Sequence, residues 1–341
     1  MILKKIKTLH GVDLNDIPRG VINSAEPVIF KQLVSDWPMV QAGQVSDRES
    51  ADYLKSFYNG NPTIVCKIPA QNNGKMFYNK ECTQLDYESF KGRIDETLDA
   101  ILDGKHQIDA PAYYIASNII DTHFPGFNDK NNIVIPREKH PDSMKERVSV
   151  WIGGATTATC HFDALDNIAC CVAGKRRFTI FPPDQISNLY PGPLEPTPGG
   201  QVISLVDFKN PDHEKFPRFH EALVSAQVAD LEPGDALYIP SMWWHNVESL
   251  EPYNVLVNYW WDDAPSFLTS GMNALHMAML GIRDKSEHER EAWRHVFNHY
   301  IFDGPEKDNA FIPTEARGFL QTLDGLSIRK LRALLINKLN R

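Results

Sequence analysis

The chain has 341 residues, which is enough for one large domain or two smaller ones. With 42% hydrophobic and 23% charged residues, its composition is that of a globular protein that can bury a sizeable core. The formal net charge of −9 makes the surface as a whole repel phosphate backbones, which argues against a dedicated nucleic-acid binder.

The cysteines and the N-terminal residues predict a cytoplasmic protein. The five cysteines form no Cys-x-x-Cys pair, and the adjacent Cys170 and Cys171 would point to opposite faces of a strand. This pattern is typical of reduced thiols. The first residues lack the apolar run of a signal peptide, and no run of about 18 apolar residues predicts a membrane span.

The first part of the chain, residues 1–145, mixes short strands and helices. Alternating or β-branched runs predict strands over 26–30, 63–68 and 112–116. Helices are expected from Ser46 to Tyr58 and from Tyr87 to Leu102. The first of these begins with Ser46 followed three residues later by Glu49, which has the form of a capping box.

Residues 146–263 are rich in strand patterns. Strands are predicted over 148–152, 167–173, 177–181, 235–239 and 253–261, separated by turns that contain Gly and Pro. The interval Gly174-Lys175-Arg176 is predicted to be a hairpin turn. Short strands at this density favour a barrel or a sandwich.

Residues 264–341 change to helical periodicity. Helices are expected over 270–280, 286–300 and 327–339. In the last of these, one apolar stripe is formed by Ile328, Leu331, Leu334, Leu335 and Leu339. The stripe packs either on the chain's own barrel or against a second copy of the chain, and both interpretations are kept.

The most informative pattern is His161-Phe162-Asp163, with His245 far downstream. Residues i and i+2 of a strand point to the same face, so His161 and Asp163 can reach one ion together. A second imidazole from a distant strand would complete three ligands. Two His and one carboxylate on one side of an ion form the facial triad of non-haem Fe(II) oxygenases, which leaves other coordination positions open.

An ordered set of segments between residues 20 and 263 carries a family resemblance. These segments are Glu26-Pro27-Val28-Ile29-Phe30, Ser35-Asp36-Trp37-Pro38, Trp151-Ile152-Gly153, His161-Phe162-Asp163, Gly174-Lys175-Arg176-Arg177-Phe178, Phe181-Pro182-Pro183, Asn210-Pro211-Asp212, Pro233-Gly234-Asp235, Tyr238-Ile239-Pro240, Trp243-Trp244-His245 and Asn258-Tyr259-Trp260. In this order they resemble the JmjC, or cupin-like, 2-oxoglutarate oxygenases. The likeness is to the small hydroxylase branch, which includes protein-asparaginyl and tRNA-wybutosine hydroxylases.

The resemblance implies a mainly β protein with flanking helices, built on a double-stranded β-helix (jelly roll). Residues 1–145 would be its N-terminal α+β part, 146–263 the jelly-roll catalytic core, and 264–341 a C-terminal helical region that forms a homodimer. It also implies Fe(II) held by His161, Asp163 and His245, with 2-oxoglutarate as co-substrate and O2 as oxidant.

The co-substrate's distal carboxylate needs a cation, since a buried carboxylate without a partner is costly. The family usually has a Lys fifteen positions after the first triad His, and here that position is Arg176. Arg can bind a carboxylate with two hydrogen bonds. A shift of one residue in the hairpin would bring in Lys175 instead, and a solvated basic turn is the third interpretation.

Four further contacts carry over from the resemblance. The family tends to have a Thr where this chain has Ala158, so Thr159 is expected to supply the hydroxyl. Asn167 and Asn258 fall where the family has Asn on interior strands, and Tyr114 is expected to reach the distal carboxylate. For the two Asn and Tyr114, a purely structural role in the core is kept as the alternative.

The sequence leaves several functions open. The first is an Fe(II)- and 2-oxoglutarate-dependent hydroxylase of a protein side chain or a small molecule; a tRNA base is disfavoured by the acidic surface. The second is a cupin-fold binding protein whose metal is structural or absent. The third is a metal-dependent isomerase or dioxygenase that needs no 2-oxoglutarate.

Overall fold

The computed structural model describes residues 4–107, 109–137, 140–303 and 311–340. These residues divide into two compact units. The first unit contains residues 4–107, 109–137 and 145–262, so the described parts of 1–145 and 146–263 lie mainly in one unit. The second contains residues 140–144, 263–303 and 311–340.

The first unit is built mainly from strands. They are β1 Lys4–Lys5, β2 Lys7–His10, β3 Val28–Lys31, β4 Thr63–Ile68, β5 Lys75–Met76, β6 Glu88–Gly92, β7 Ala112–Ile119, β8 Arg147–Gly153, β9 Thr157–Phe162, β10 Asp166–Ala173, β11 Arg176–Phe181, β12 Gln227–Leu231, β13 Ala236–Ile239, β14 Trp244–Ser249 and β15 Asn254–Trp261. The predicted strands are therefore confirmed, with shifts of a few residues at their ends. Of the predicted triad, β9 contains His161 and ends just before Asp163, and β14 contains His245.

The strands form two mixed sheets. The six-stranded sheet has the order β1-β12-β11-β14-β9-β5, and the nine-stranded sheet has the order β2-β3-β13-β10-β15-β8-β7-β4-β6. Apolar side chains from both sheets, among them Cys171, Phe178, Ile180 and Leu237, form one buried cluster between them. The prediction of a mainly β, jelly-roll protein is confirmed.

The described residues also form nine α-helices. They are α1 Arg19–Ile22, α2 Pro38–Val45, α3 Asp47–Lys55, α4 Ile94–Gly104, α5 Ile120–His123, α6 Phe219–Ser225, α7 Gly271–Ala278, α8 Glu287–Phe297 and α9 Gly325–Leu339. Shorter helical turns lie at Ala70–Asn72, Phe127–Asp129, Pro183–Ser187, Met279–Arg283, Asn298–Phe302, Thr314–Ala316 and Gly318–Leu320.

Helices α2, α3 and α4 cover the outer face of the nine-stranded sheet. Met39, Leu54 and Leu98 pack there against a cluster that includes Cys170. Cys170 and Cys171 thus face opposite sides of β10, as predicted, and all five cysteines have free thiols. Because β10 and β15 are covered on both faces, nearly all of their residues are buried.

Two helix predictions in this unit had different outcomes. Ser46 caps α3 as expected, since its hydroxyl accepts a hydrogen bond from the Glu49 amide at 3.1 Å. The helix predicted from Tyr87 to Leu102 is wrong in its first part, which forms β6 and pairs with β4. The exposed residues of β6 lie at the sheet edge, and backbone pairing with β4 outweighed their weak helical pattern.

The second unit contains α7, α8 and α9, close to the predicted positions. Along the stripe of α9, Ile328 is buried, whereas Leu334, Leu335 and Leu339 are 40%, 38% and 50% exposed. Among the described residues, no helix has the length and apolar character needed to cross a membrane.

Candidate active site

Two paired strands of the six-stranded sheet bring the predicted metal ligands together. β14 and β9 run antiparallel with His245 opposite His161, and the centroids of the two imidazole rings are 4.4 Å apart. Asp163 follows the end of β9. The ligand atoms of these three residues all lie within 4.8 Å of one another, so one metal ion can reach all three.

Each imidazole is oriented by its own backbone. Nδ1 of His161 lies 2.8 Å from the Thr159 carbonyl, and Nδ1 of His245 lies 2.9 Å from the Trp243 carbonyl. Because a carbonyl only accepts, Nδ1–H is the donor in both pairs. The Nε2 lone pairs are therefore left for a metal, which is the arrangement that outer hydrogen bonds give to histidine ligands.

The charges of the three side chains suit a divalent ion. Burial, with a smaller contribution from the neighbouring His245, lowers the pKa of His161 to about 4, so its imidazole is neutral near pH 7. Burial alone would raise the pKa of Asp163, but the adjoining side chains of His245 and His161 hold it below its usual value. Neutral imidazoles and an ionised carboxylate are the donor set that binds Fe(II).

Arg176 lies deep in the same interior. It is 2% exposed, and it shares a face of β11 with Ile180, whose partner across the sheet is His245. Its Nε and Nη2 atoms are buried and have no hydrogen-bond partner within the described part of the chain. A buried guanidinium with unpaired donors is costly, so this position fits an anionic group such as the distal carboxylate of 2-oxoglutarate.

The hairpin turn fixes which basic residue points inward. Gly174 has φ +70° there, and an added Cβ would lie 2.3 Å from Asn254 Oδ1, so only glycine fits. The side chain of Lys175 is 50% exposed and its Nζ lies 3.4 Å from Glu232. Arg177 likewise pairs with Asp230 on the surface. Neither flanking cation enters the interior that Arg176 occupies.

Tyr114 is a buried neighbour of Arg176. Burial raises the pKa of its phenol to about 12, although the nearby guanidinium opposes this shift. The phenol is therefore neutral and can donate a hydrogen bond. Tyr114 also lies in a small apolar cluster with Trp151 and Ala158, which places it inside the barrel.

Asn167 and Asn258 form an interior polar network. Asn258 Nδ2 donates to Asn167 Oδ1 at 3.1 Å, and the Trp151 indole donates to Asn258 Oδ1 at 2.8 Å. Both Asn are buried. The two Asn side chains therefore link strands β8, β10 and β15.

Comparison with known proteins agrees with this geometry. The profile of the cupin-like domain matches residues 15–267, which is most of the chain. The chain belongs to the cupin-like family.

Individual relatives include a protein named for the JmjC domain. The chain is 28% identical to HSPB1-associated protein 1 of Mus musculus, over 70% of this chain and 49% of the relative. It is 26% identical to JmjC domain-containing protein D of Dictyostelium discoideum, over 73% and 56%. It is 25% identical to tRNA wybutosine-synthesizing protein 5 of Gallus gallus, over 77% and 78%. The chain thus spans about half the length of the mouse HSPB1-associated protein.

One cupin-like contact predicted from the sequence lies elsewhere in the structure. The Thr159 hydroxyl donates to the Met76 carbonyl at 2.8 Å, and Thr159 lines a groove of about 310 Å³ together with Thr157 and Asn246. Asn246 is next to His245 on β14, so it points to the opposite side of the sheet. Ala158 packs in the interior cluster instead, and the structure does not bring the Thr159 hydroxyl to the face that carries the imidazoles.

Gln201 was not predicted as a site residue from the sequence. Its Nε2 donates to Asp163 Oδ1 at 3.4 Å, and two residues later Ile203 forms a backbone bridge to His161. A single glutamine after Gly199 and Gly200 carries no spacing that points to a cupin-like metal site, so no sequence signal would have found it.

Proposed function

We propose that this chain is an Fe(II)- and 2-oxoglutarate-dependent oxygenase that hydroxylates a protein side chain or a small molecule. The observation that carries the proposal is Arg176, whose two unpartnered, buried nitrogens share an interior with three side chains placed so that they could hold one metal ion. A site that bound only a metal ion would have no need of a buried cation beside it. A dianionic co-substrate would chelate the metal at one end and pair with the Arg176 guanidinium at the other.

Each residue has a role in this proposal. His161, Asp163 and His245 would hold Fe(II), and Arg176 would bind the distal carboxylate with help from the Tyr114 phenol. When bound, Fe(II) and 2-oxoglutarate together activate O2 for insertion into a C–H bond. The Trp243 indole is 6% exposed and packs in the apolar cluster between the two sheets, where it would help to keep water out of the site.

The test is co-substrate binding by the purified protein under anaerobic conditions. Titration calorimetry with Fe(II) should detect one 2-oxoglutarate per chain, and removal of the metal with a chelator should abolish most of this binding. Metal binding without 2-oxoglutarate binding would favour the isomerase or dioxygenase alternative. Absence of both would favour a cupin-fold binding protein.

The charge of the chain and the names of its relatives bear on the substrate class. The net charge of −9 disfavours a polyanionic substrate such as tRNA, although one relative is named for wybutosine synthesis in tRNA. Incubation with 2-oxoglutarate and either a peptide library or tRNA, followed by mass spectrometry, distinguishes these classes. A gain of one oxygen indicates hydroxylation, and loss of a methyl group indicates that hydroxylation led on to demethylation.

A further inference from the structure

The chain segment around residues 201–204 is attached to the strand that carries His161. Ile203 forms an antiparallel bridge with His161, and the Ser204 amide donates to the Cys160 carbonyl at 2.7 Å. The Ser204 hydroxyl also donates a hydrogen bond to the Leu189 carbonyl, which ties the segment to a second part of the chain. This segment therefore has a fixed position beside the end of β9, where Asp163 follows.

Two tyrosines hold the loop that precedes this segment. The Tyr78 hydroxyl donates to the Pro196 carbonyl, and the Tyr87 hydroxyl donates to the Pro198 carbonyl, each at 2.7 Å. Tyr78 is only 3% exposed. Gln201 thus lies between two anchored stretches of backbone, which limits where its side chain can reach.

The two oxygens of Asp163 have different neighbours. Oδ2 lies 3.6 Å from His245 Nε2, on the side of the imidazoles. Oδ1 accepts from the Gln201 carboxamide at 3.4 Å. The carboxylate is therefore turned so that one oxygen faces the metal position and the other faces Gln201.

We infer that Gln201 is a positioning residue, which holds Asp163 Oδ1 so that the carboxylate binds metal through Oδ2 alone. This inference rests on the proposed function. A carboxylate that chelates through both oxygens takes one more coordination position on the ion. The facial triad works because those positions stay open for co-substrate and O2, so a donor that keeps Oδ1 away from the ion preserves them.

The physical basis is the general effect of outer hydrogen bonds on metal ligands. Such partners fix the orientation of a ligating carboxylate, and their loss typically weakens metal binding or activity about 10- to 100-fold. Gln201 suits this task because its amide group donates a hydrogen bond without adding a charge. A Lys or Arg there would instead compete with the metal for the carboxylate.

Co(II) in place of Fe(II) gives the test, since its ligand-field absorption reports the number and geometry of its ligands. Gln201→Met keeps the length of the side chain and removes the donor. Gln71→Met is the matched control, because Gln71 is exposed in the turn Ala70–Asn72. Tyr87→Phe frees one anchor of the loop and should change the spectrum in the same direction as Gln201→Met, by less.

The expected result is an altered Co(II) spectrum for Gln201→Met, with Co(II) bound roughly tenfold or more weakly, and a wild-type spectrum for Gln71→Met. A wild-type spectrum for Gln201→Met would overturn the inference, whatever its affinity for Co(II), and would leave the proposed function standing. Failure of the wild-type protein to bind Co(II) would overturn the proposed function and this inference with it.

Discussion

His161 and His245 face each other directly across antiparallel strands β9 and β14, with their ring centroids 4.4 Å apart. Their positions are thus set by backbone pairing within a sheet and by the hydrogen bond that each Nδ1–H donates to a backbone carbonyl. Sites on paired strands are held more rigidly than sites on loops. The imidazoles are consequently in place before a metal arrives.

Loss of the carboxylate should cripple this site. We expect Asp163→Ala to lose most of its affinity for Fe(II), because Asp163 is the only anionic member of the metal-ligating group found in the described residues. Anaerobic titration calorimetry measures this, with the exposed Asp184→Ala as control. Equal Fe(II) affinity in Asp163→Ala and wild type would show that the three residues are not a metal site.

Tyr114→Phe should weaken 2-oxoglutarate binding. Removal of one hydrogen bond to an ionised carboxylate costs about 1.5–3 kcal/mol, which is roughly a tenfold to 150-fold increase in Kd. Tyr113→Phe, one residue earlier on β7, is the control, because adjacent strand residues point to opposite faces. If calorimetry on the Fe(II)-loaded variants gives the same Kd for Tyr114→Phe and wild type, Tyr114 serves the core alone.

Asn258→Ala should destabilise the fold. It leaves the Trp151 indole and Asn167 Oδ1 without their partner inside the barrel. Each unpaired buried group costs about 1–3 kcal/mol, so for two groups we expect a loss of about 2–6 kcal/mol in the free energy of unfolding. Urea denaturation compares it with Asn210→Ala, an exposed site. A loss below that of Asn210→Ala would mean that water replaces the network without cost.

We propose that the exposed half of the α9 stripe joins two copies of the chain. Leu334 and Leu335 are 40% and 38% exposed, unlike the buried Ile328 of the same stripe. Sedimentation velocity at micromolar concentration should give a dimer for wild type. Leu335→Glu should shift it towards monomer, while Lys338→Glu should not. A wild-type monomer would contradict the proposal.

The sequence was most informative where chemistry and strand geometry coincide. His161 and Asp163 are two residues apart, and this spacing predicts a shared ligand face if the segment is an extended strand. The sequence position of Arg176 made it a candidate for the interior cation. The choice between Arg176 and Lys175 required the structure of the turn at Gly174, whose φ of +70° sets which side chain enters the barrel.

Other features depend on contacts that local pattern does not encode. β6 has no strong strand signal and exists because β4 offers it a partner. The Thr159 hydroxyl is directed by β5, a two-residue strand that pairs with β9. Gln201 reaches Asp163 from a loop that is held by tyrosines more than a hundred residues earlier in the chain.

The most direct measurement is succinate release against 2-oxoglutarate concentration for wild type, Arg176→Ala and Lys175→Ala. Truncation of one partner of a buried, hydrogen-bonded charge pair costs about 2–5 kcal/mol. Arg176→Ala should therefore need roughly thirtyfold to several thousandfold more 2-oxoglutarate and still bind Fe(II), while Lys175→Ala should resemble wild type. A wild-type protein that neither binds nor decarboxylates 2-oxoglutarate would contradict the account, as would a defect confined to Lys175→Ala.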